Sequence, residues 1–170
     1  MHSQPYSALV CYKQWADRGL YEVIGRNLDR LSAEDAAILV RILDHMHVVD
    51  RIFKHHLCAV PHSFQAPRSQ EAPDFHQLAR EAAEVDEWYA AYVAGLSAHD
   101  FEQPLEFTFT NGTAARMTRG EIILHVCLHD TYHRGNAGVI LQKNGIAPND
   151  DRMTDFLEVS ARRQSESGVA

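Results

Sequence analysis

The chain carries little positive charge and never concentrates it. Its 16 lysines and arginines are outnumbered by 23 acidic residues, which gives a formal net charge of −7. The only adjacent basic pair is Arg162-Arg163. Binding to a nucleic-acid backbone without regard to sequence needs a basic patch, so we expect no nucleic-acid partner.

Long apolar runs and paired cysteines are missing as well. No apolar run approaches the roughly 18 residues that span a bilayer, and the first six residues lack the pattern of a signal peptide. The three cysteines, Cys11, Cys58 and Cys127, are far apart and include no Cys-x-x-Cys pair. This spacing favours free thiols in a reducing cytoplasm. We therefore expect a cytoplasmic protein with no membrane partner, folded as one domain over residues 1–170.

Helical periodicity dominates what is present. Apolar residues three and four apart predict four long helices, at Tyr6–Leu31, from a cap at Ser32 to about Val60, at Phe75–Leu96 and at Thr118–Asn144. A loop with prolines at both ends separates the second helix from the third. A short last helix is expected within residues 150–163, followed by a frayed tail over residues 164–170.

One segment changes period before the fourth helix. Residues Phe107 to Thr110 alternate between apolar and polar like a strand, and Asn111-Gly112 is the preferred two-residue hairpin turn. Thr113 to Met117 would then form the second strand of the hairpin. The predicted fold class is therefore all-α: a four-helix bundle with a small β-hairpin before the fourth helix and a short C-terminal helix.

Histidines mark the fourth helix. His125, His129 and His133 recur every fourth residue, and a step of four returns to nearly the same helical face. With Ile122 set at zero, His129 lies at about −20° and His133 at about 20°, in the middle of the apolar stripe. His125, near −60°, is at its border. A divalent metal would satisfy two buried imidazoles one turn apart, whereas ordinary core contacts rarely do.

The second helix offers a third ligand. His45 lies at the edge of that helix's apolar stripe, about 70° from its centre, whereas His47 is about 130° away and is expected to be solvated. On the third helix, a solvated face is expected for Glu81, Glu84, Asp86 and Glu87. Bundles build metal sites from side chains on facing helices, so two ligands from helix four and one from helix two fit this plan.

The motif His129-x-x-x-His133-Arg134-Gly135, with His45 five residues before Asp50-Arg51, is characteristic in its spacing. In this motif the sequence resembles the DinB-like family of damage-inducible, YfiT-like metalloproteins. Tyr12-x-x-Trp15-Ala16-Asp17 and the phenylalanine-rich hairpin fit the same pattern. The resemblance covers nearly the whole chain. The sequence departs from the family pattern at Asn136, where the family usually has Gln, and at Asp17, where Asn is common.

The resemblance implies a four-helix bundle, often dimeric, whose three-histidine site usually holds zinc or nickel. It assigns His45, His129 and His133 as the metal ligands, the same three that the helical wheels select. His125, Asn136 and Asp50 are candidates for a second layer around them. Arg134 falls near 120°, away from the metal face, which favours a salt bridge to another helix or a partner subunit. Cys127 is expected to be a core thiol.

Two kinds of function stay open, besides a third option, a metal-free helical dimer. Some relatives transfer small thiols such as bacillithiol and others are thiol-dependent isomerases, so the first is a metal-dependent enzyme that acts on a small molecule, with a low-molecular-weight thiol as cofactor. The catalytic base is unknown: Asp50, Asp130 and His125 are weak candidates, and Asp130 is expected to be solvated. The second is a non-catalytic stress-response or binding protein whose metal is structural. A closed structural zinc normally has four protein ligands, and only three fit here.

Overall fold

The computed structural model describes residues 4–167 and confirms an all-α bundle with one small hairpin. Its six helices are α1 (Gln4–Gly25), α2 (Ala33–Leu57), α3 (Phe75–Ala94), α4 (Ala98–Glu102), α5 (Arg119–Lys143) and α6 (Met153–Ser167). The strands are β1 (Pro104–Thr108) and β2 (Ala114–Thr118), and a 3₁₀ turn spans Leu28–Arg30. Within this described range, no helix combines the length and hydropathy needed to cross a bilayer.

The four long helices pack as a closed square. Helix α1 packs on α3 and α5, and α2 also packs on α3 and α5. Each long helix therefore buries two faces, not one. The shorter elements lie outside this square: α4 and β2 pack against α5, and β1 packs against α2.

Side-chain caps set where the long helices begin. The Ser32 hydroxyl accepts a hydrogen bond from the Asp35 amide at the start of α2, and the Asp74 carboxylate accepts one from the Gln77 amide at the start of α3. Thr118 and Glu121 form a reciprocal capping box that opens α5. These three starts agree with the sequence. The first two helices stop earlier than expected, at Gly25 and Leu57, and α4 was not expected at all.

The hairpin turn differs from the predicted two-residue type. The Phe109 amide donates to the Thr113 carbonyl at 2.9 Å, and the Gly112 amide donates to the Phe109 carbonyl at 2.8 Å. Three residues, 110–112, therefore form the loop, with Gly112 at a φ of 85°. A turn followed by a left-handed glycine is the usual three-residue solution, and it places Gly112, but not Asn111, at the left-handed position.

The last helix runs longer than expected. Helix α6 continues through Ser167, four residues into the segment predicted to be frayed, and residues 168–170 lie outside the described range.

A layer of charged side chains divides the hydrophobic core into two clusters. Val10, Phe53, Tyr89 and Val126 belong to one cluster. Leu20, Met46, Leu78 and Ala137 belong to the other. Between them lie buried polar residues from all four long helices: Lys13, Asp17, Asp50, Asp86, Asp130 and Arg134. Asp130 of this layer directly follows His129 in α5.

Candidate metal centre

The structure brings His45 of α2 together with His129 and His133 of α5. The ring centroids of His45 lie 4.9 Å from His129 and 4.7 Å from His133, and the two α5 rings are 4.5 Å apart. One nitrogen from each ring lies within 4.8 Å of the other two. All three side chains are half-buried. Among the described residues, this is the one group of three or more histidine, cysteine or acidic side chains that converges closely enough to hold a metal ion.

Fixed partners orient two of the three rings. Nδ1 of His45 lies 2.6 Å from the Pro67 carbonyl oxygen, and Nδ1 of His129 lies 3.2 Å from Oδ1 of Asp130. A carbonyl and a carboxylate can only accept, so each Nδ1 carries the proton and donates. In a neutral imidazole the other nitrogen, Nε2, is then unprotonated and free to act as a ligand.

The two free nitrogens face each other. Nε2 of His45 and Nε2 of His129 are 3.0 Å apart. Two lone pairs at this distance repel unless a cation lies beside both. Nitrogens bound to one tetrahedral zinc at about 2.0–2.1 Å lie about 3.3 Å apart, close to the observed separation. The donor set and its orientation therefore fit a divalent metal.

His133 completes the group as a neutral imidazole. Its ring nitrogens have no hydrogen-bond partner among the described residues. Burial, together with the neighbouring His129 and His45, lowers the pKa of His133 to about 4. The side chain is consequently uncharged at neutral pH, which is the form that binds metals.

A large groove opens beside the triad. His45 and His133 line it together with the α2 side chains Glu34, Ile38, Arg41 and Ile42 and the loop of residues 63–70, and its volume is about 1410 Å³. Arg41 holds this loop by donating to the carbonyls of Ser69 and Gln70 at 3.0 and 3.2 Å. The groove gives a small molecule a route to the two histidines.

Behind the triad lies a buried lysine that the sequence analysis missed. Lys13 is 1% exposed, and its ammonium contacts one aspartate from each long helix. It donates to Asp17 at 2.9 Å and to Asp86 at 2.5 Å. The same nitrogen lies 2.8 Å from a carboxylate oxygen of Asp50 and 2.8 Å from Oδ2 of Asp130. We call these five residues the lysine cage.

Burial and mutual repulsion shift the titration of the cage. Burial raises the pKa of Asp50 well above its usual value, with repulsion from Asp130 adding to it. Burial also raises the pKa of Asp86 to about 7, although Lys13 opposes this shift. Burial favours neutral Lys13, but the four carboxylates outweigh it and raise the pKa of the lysine. The lysine is therefore charged, and the carboxylates compete for its charge.

The structure does not bring together the three residues proposed to surround the metal ligands, His125, Asn136 and Asp50. His125 is exposed, packs on Phe53 with centroids 4.7 Å apart, and its ring is 5.8 Å from that of His129. Asn136 is exposed on α5. Asp50 lies in the lysine cage and has no contact with the triad among the described residues. A role for these three around a metal stays a prediction.

Four expectations about charged and thiol side chains can be compared directly with the structure. Arg134 is confirmed in salt bridges within the chain, at 2.7 Å to Asp17 and 2.8 Å to Asp151. Cys127 is confirmed as a buried thiol, and burial raises its pKa to about 12. The solvated positions expected for Asp86 and Asp130 were wrong, because both carboxylates are buried against Lys13.

The solvated position expected for His47 was also wrong. The side chain is 4% exposed. It lies between α2 and α3, and Nε2 is 3.4 Å from Glu81. Burial is the main cause that lowers the pKa of His47 to about 4. A helical wheel with one buried face places His47 in solvent, whereas α2 packs on α3 as well as on α5.

Comparisons with known proteins agree with this architecture. The sequence model of the DinB family matches residues 1–166. Among solved structures, the chain is similar to a DinB-like protein from Bacillus cereus ATCC 10987, with a TM-score of 0.66 at 14% identity, over 88% of this chain and 99% of that one. No curated protein matches the sequence significantly. The family match spans all four long helices and both candidate ligand positions of α5, so the chain belongs to the DinB family.

Proposed function

We propose that this chain is a metal-dependent enzyme whose ion is bound by His45, His129 and His133. The observation that carries the proposal is the pair of Nε2 atoms, 3.0 Å apart, whose opposite ring nitrogens are both held by acceptors. Two nitrogen lone pairs that face each other at this distance repel, and a cation bound by both removes the repulsion. Zinc or nickel suits three neutral imidazoles.

Three protein ligands support a catalytic use more than a structural one. A structural zinc is normally closed by four protein side chains, and no fourth ligand atom joins the triad among the described residues. A metal ion with an open position acts as a Lewis acid and lowers the pKa of a water or thiol bound to it. The chain's own contribution is to hold the ligands, to orient His45 and His129, and to offer the groove.

The groove suggests a small anionic substrate. Arg68 lies on its wall, and its guanidinium has no partner among the described residues. Ile38, Ile42 and Phe64 supply apolar surface nearby. A small thiol that carries a carboxylate would satisfy both features, with the sulfur toward the histidines and the carboxylate toward Arg68. We propose thiol transfer to an electrophile as the reaction class.

The experiment uses the protein loaded with zinc and, separately, with nickel. Each form is incubated with a carboxylate-bearing thiol and an aryl halide, and thioether formation is followed by absorbance. We expect turnover that chelation abolishes and that His133→Ala abolishes, with His76→Ala as the matched control at an exposed histidine. A metal-loaded protein that shows no turnover with any thiol, and that is stabilised by the metal, would instead favour a structural metal.

We also propose a homodimer formed through α5. The outer face of this helix is apolar: Leu128, Tyr132 and Val139 are 63%, 68% and 65% exposed. Between Glu121 and Lys143 its only charged residues, Asp130 and Arg134, are buried. Two copies that each carry a net charge of −7 repel least where they meet on an uncharged surface. A second copy of this chain is therefore the occupant that this face fits.

A further inference from the structure

Asp130 connects the lysine cage to the histidine triad. Its Oδ1 accepts from Nδ1 of His129 at 3.2 Å, and its Oδ2 lies 2.8 Å from the ammonium of Lys13. We propose that Asp130, held by Lys13, is a positioning residue that fixes the ring and the tautomer of His129 for metal binding. This inference rests on the proposed function and concerns how the same site is built.

The geometry leaves Asp130 little freedom. Its side chain is 1% exposed, so water does not replace either contact. Since a carboxylate only accepts, the proton of neutral His129 must be on Nδ1, and Nε2 is left for the metal. Metal-bound histidines commonly use such a carboxylate partner on the far nitrogen, and losing it typically lowers metal affinity 10- to 100-fold.

Lys13 holds the other oxygen of Asp130. Its ammonium lies 2.8 Å from Oδ2, and both side chains are buried, so this ion pair fixes the carboxylate with Oδ1 toward His129. The cage therefore acts on the triad through one oxygen of one residue.

The cage also supplies a matched control. Asp86 lies in the same layer, is also buried and lies 2.5 Å from the same ammonium. It has no contact with any of the three histidines among the described residues. Asp86→Asn and Asp130→Asn thus each replace one carboxyl group that contacts the same lysine, and only Asp130 touches His129.

The test combines a spectroscopic and a binding measurement on the full chain. Long-range ¹H–¹⁵N spectra of the metal-free protein, labelled on histidine, report which nitrogen of His129 is protonated. Zinc affinity is then measured by competition with a chromophoric chelator. We expect Nδ1–H in the wild type, a mixed tautomer and roughly 10- to 100-fold weaker zinc binding in Asp130→Asn, and a change within about threefold in Asp86→Asn.

Several results would overturn the inference. An Nε2–H tautomer in the metal-free wild type would do so without any variant, even if Asp130→Asn fails to fold. Equal losses of zinc affinity in the two variants would assign the effect to cage stability and not to positioning. If the wild type binds no zinc or nickel, the proposed function fails, while the tautomer comparison still decides whether Asp130 positions His129.

Discussion

At the residue scale, the unusual feature is a lysine, Lys13, whose side chain is buried from solvent. Lys13 has three N–H groups and four carboxylates within 2.9 Å, so its hydrogens cannot satisfy all four. Removing one partner from a buried ion cluster leaves charges uncompensated in a low-dielectric interior, which is the costly way to break such a cluster. Without Lys13, the negative charges of the four buried aspartates would therefore lack the cation that they share.

Replacing this lysine should destabilise the fold strongly. Lys13→Met keeps most of the side-chain volume but leaves the cage with repelling carboxylates, and we expect a loss of about 3–5 kcal/mol in the free energy of unfolding. Urea denaturation checks this. Lys143→Met is the control, because Lys143 also pairs with one aspartate, Asp35, but is 67% exposed. A Lys13→Met midpoint that matches the control would show that the cage is not held by the lysine.

A second prediction concerns pH. Asp86 has a pKa of about 7 in the folded chain and about 3.9 when unfolded. Between these values the folded state binds a proton that the unfolded state lacks. The stability contributed by this proton is complete below about pH 4 and is lost as the pH rises through 7, by at most about 1.4 kcal/mol per unit.

The variant that mimics the protonated side chain should lose this dependence. Asp86→Asn should gain stability relative to the metal-free wild type as the pH is raised from 5 to 8. Urea titrations of both proteins in the presence of a chelator measure the difference. The raised pKa would be contradicted if the difference in unfolding free energy between the two proteins stayed constant over this range, or if the wild type gained stability relative to the variant.

Sequence reasoning found the histidines but not the lysine, for a physical reason. Two histidines at a spacing of four in an apolar stripe stand out within a single helix. The cage is assembled from residues as distant as Lys13 and Asp130, and no single helix displays it. One local signal was available: Asp86 lies about 40° from Ala82 and about 60° from Tyr89 on a helical wheel, inside the apolar stripe.

At the element scale, α5 carries two of the three candidate ligands, and its first turn depends on a local cap. The Thr118 hydroxyl accepts from the Glu121 amide at 3.1 Å, and the Glu121 carboxylate accepts from the Thr118 amide at 2.7 Å. We expect Thr118→Ala to cost about 1 kcal/mol, whereas Thr118→Ser should retain nearly all the stability. Thermal unfolding of both variants measures this. Equal losses would mean that the cap does not stabilise α5.

Helix starts were predictable and helix ends were less so. Ser32, Asp74 and Thr118 are local signals, because each cap is made within three residues of the helix start. The ends depend on packing between distant segments. Apolar periodicity continues past Gly25 into a 3₁₀ turn, and α4 is a single short turn held against α5, so neither could be read from spacing alone.

At the scale of the whole molecule, the sequence predicted the bundle because each of the four amphipathic helices can bury its apolar face only against the others. It did not predict that a charged layer would divide the core between the clusters of Val10 and Leu20. Periodicity reports which face of a helix is buried, but not which level of that face is polar. His47 shows a second limit: periodicity marks one buried face, whereas its helix is buried on two sides.

The proposed dimer gives a prediction at this scale. Leu128→Glu places a charge in the middle of the exposed apolar face of α5, and burying it between two copies would be unfavourable. We expect light scattering to give twice the 19.2 kDa chain mass for the wild type and the single chain mass for the variant. Leu157→Glu is the control, since Leu157 is an exposed leucine on α6. A monomeric wild type, or two variants of equal mass, would contradict the assignment of this face.

The central claim is that three imidazoles converge because they share a metal ion. The most direct measurement is the metal content of untagged protein by mass spectrometry, after exposure to zinc and nickel and removal of free ions. We predict about one ion per chain for the wild type and for the control His76→Ala, and near zero for single alanine variants at His45, His129 and His133. A wild type without metal, or a His133→Ala variant with unchanged metal content, would contradict it.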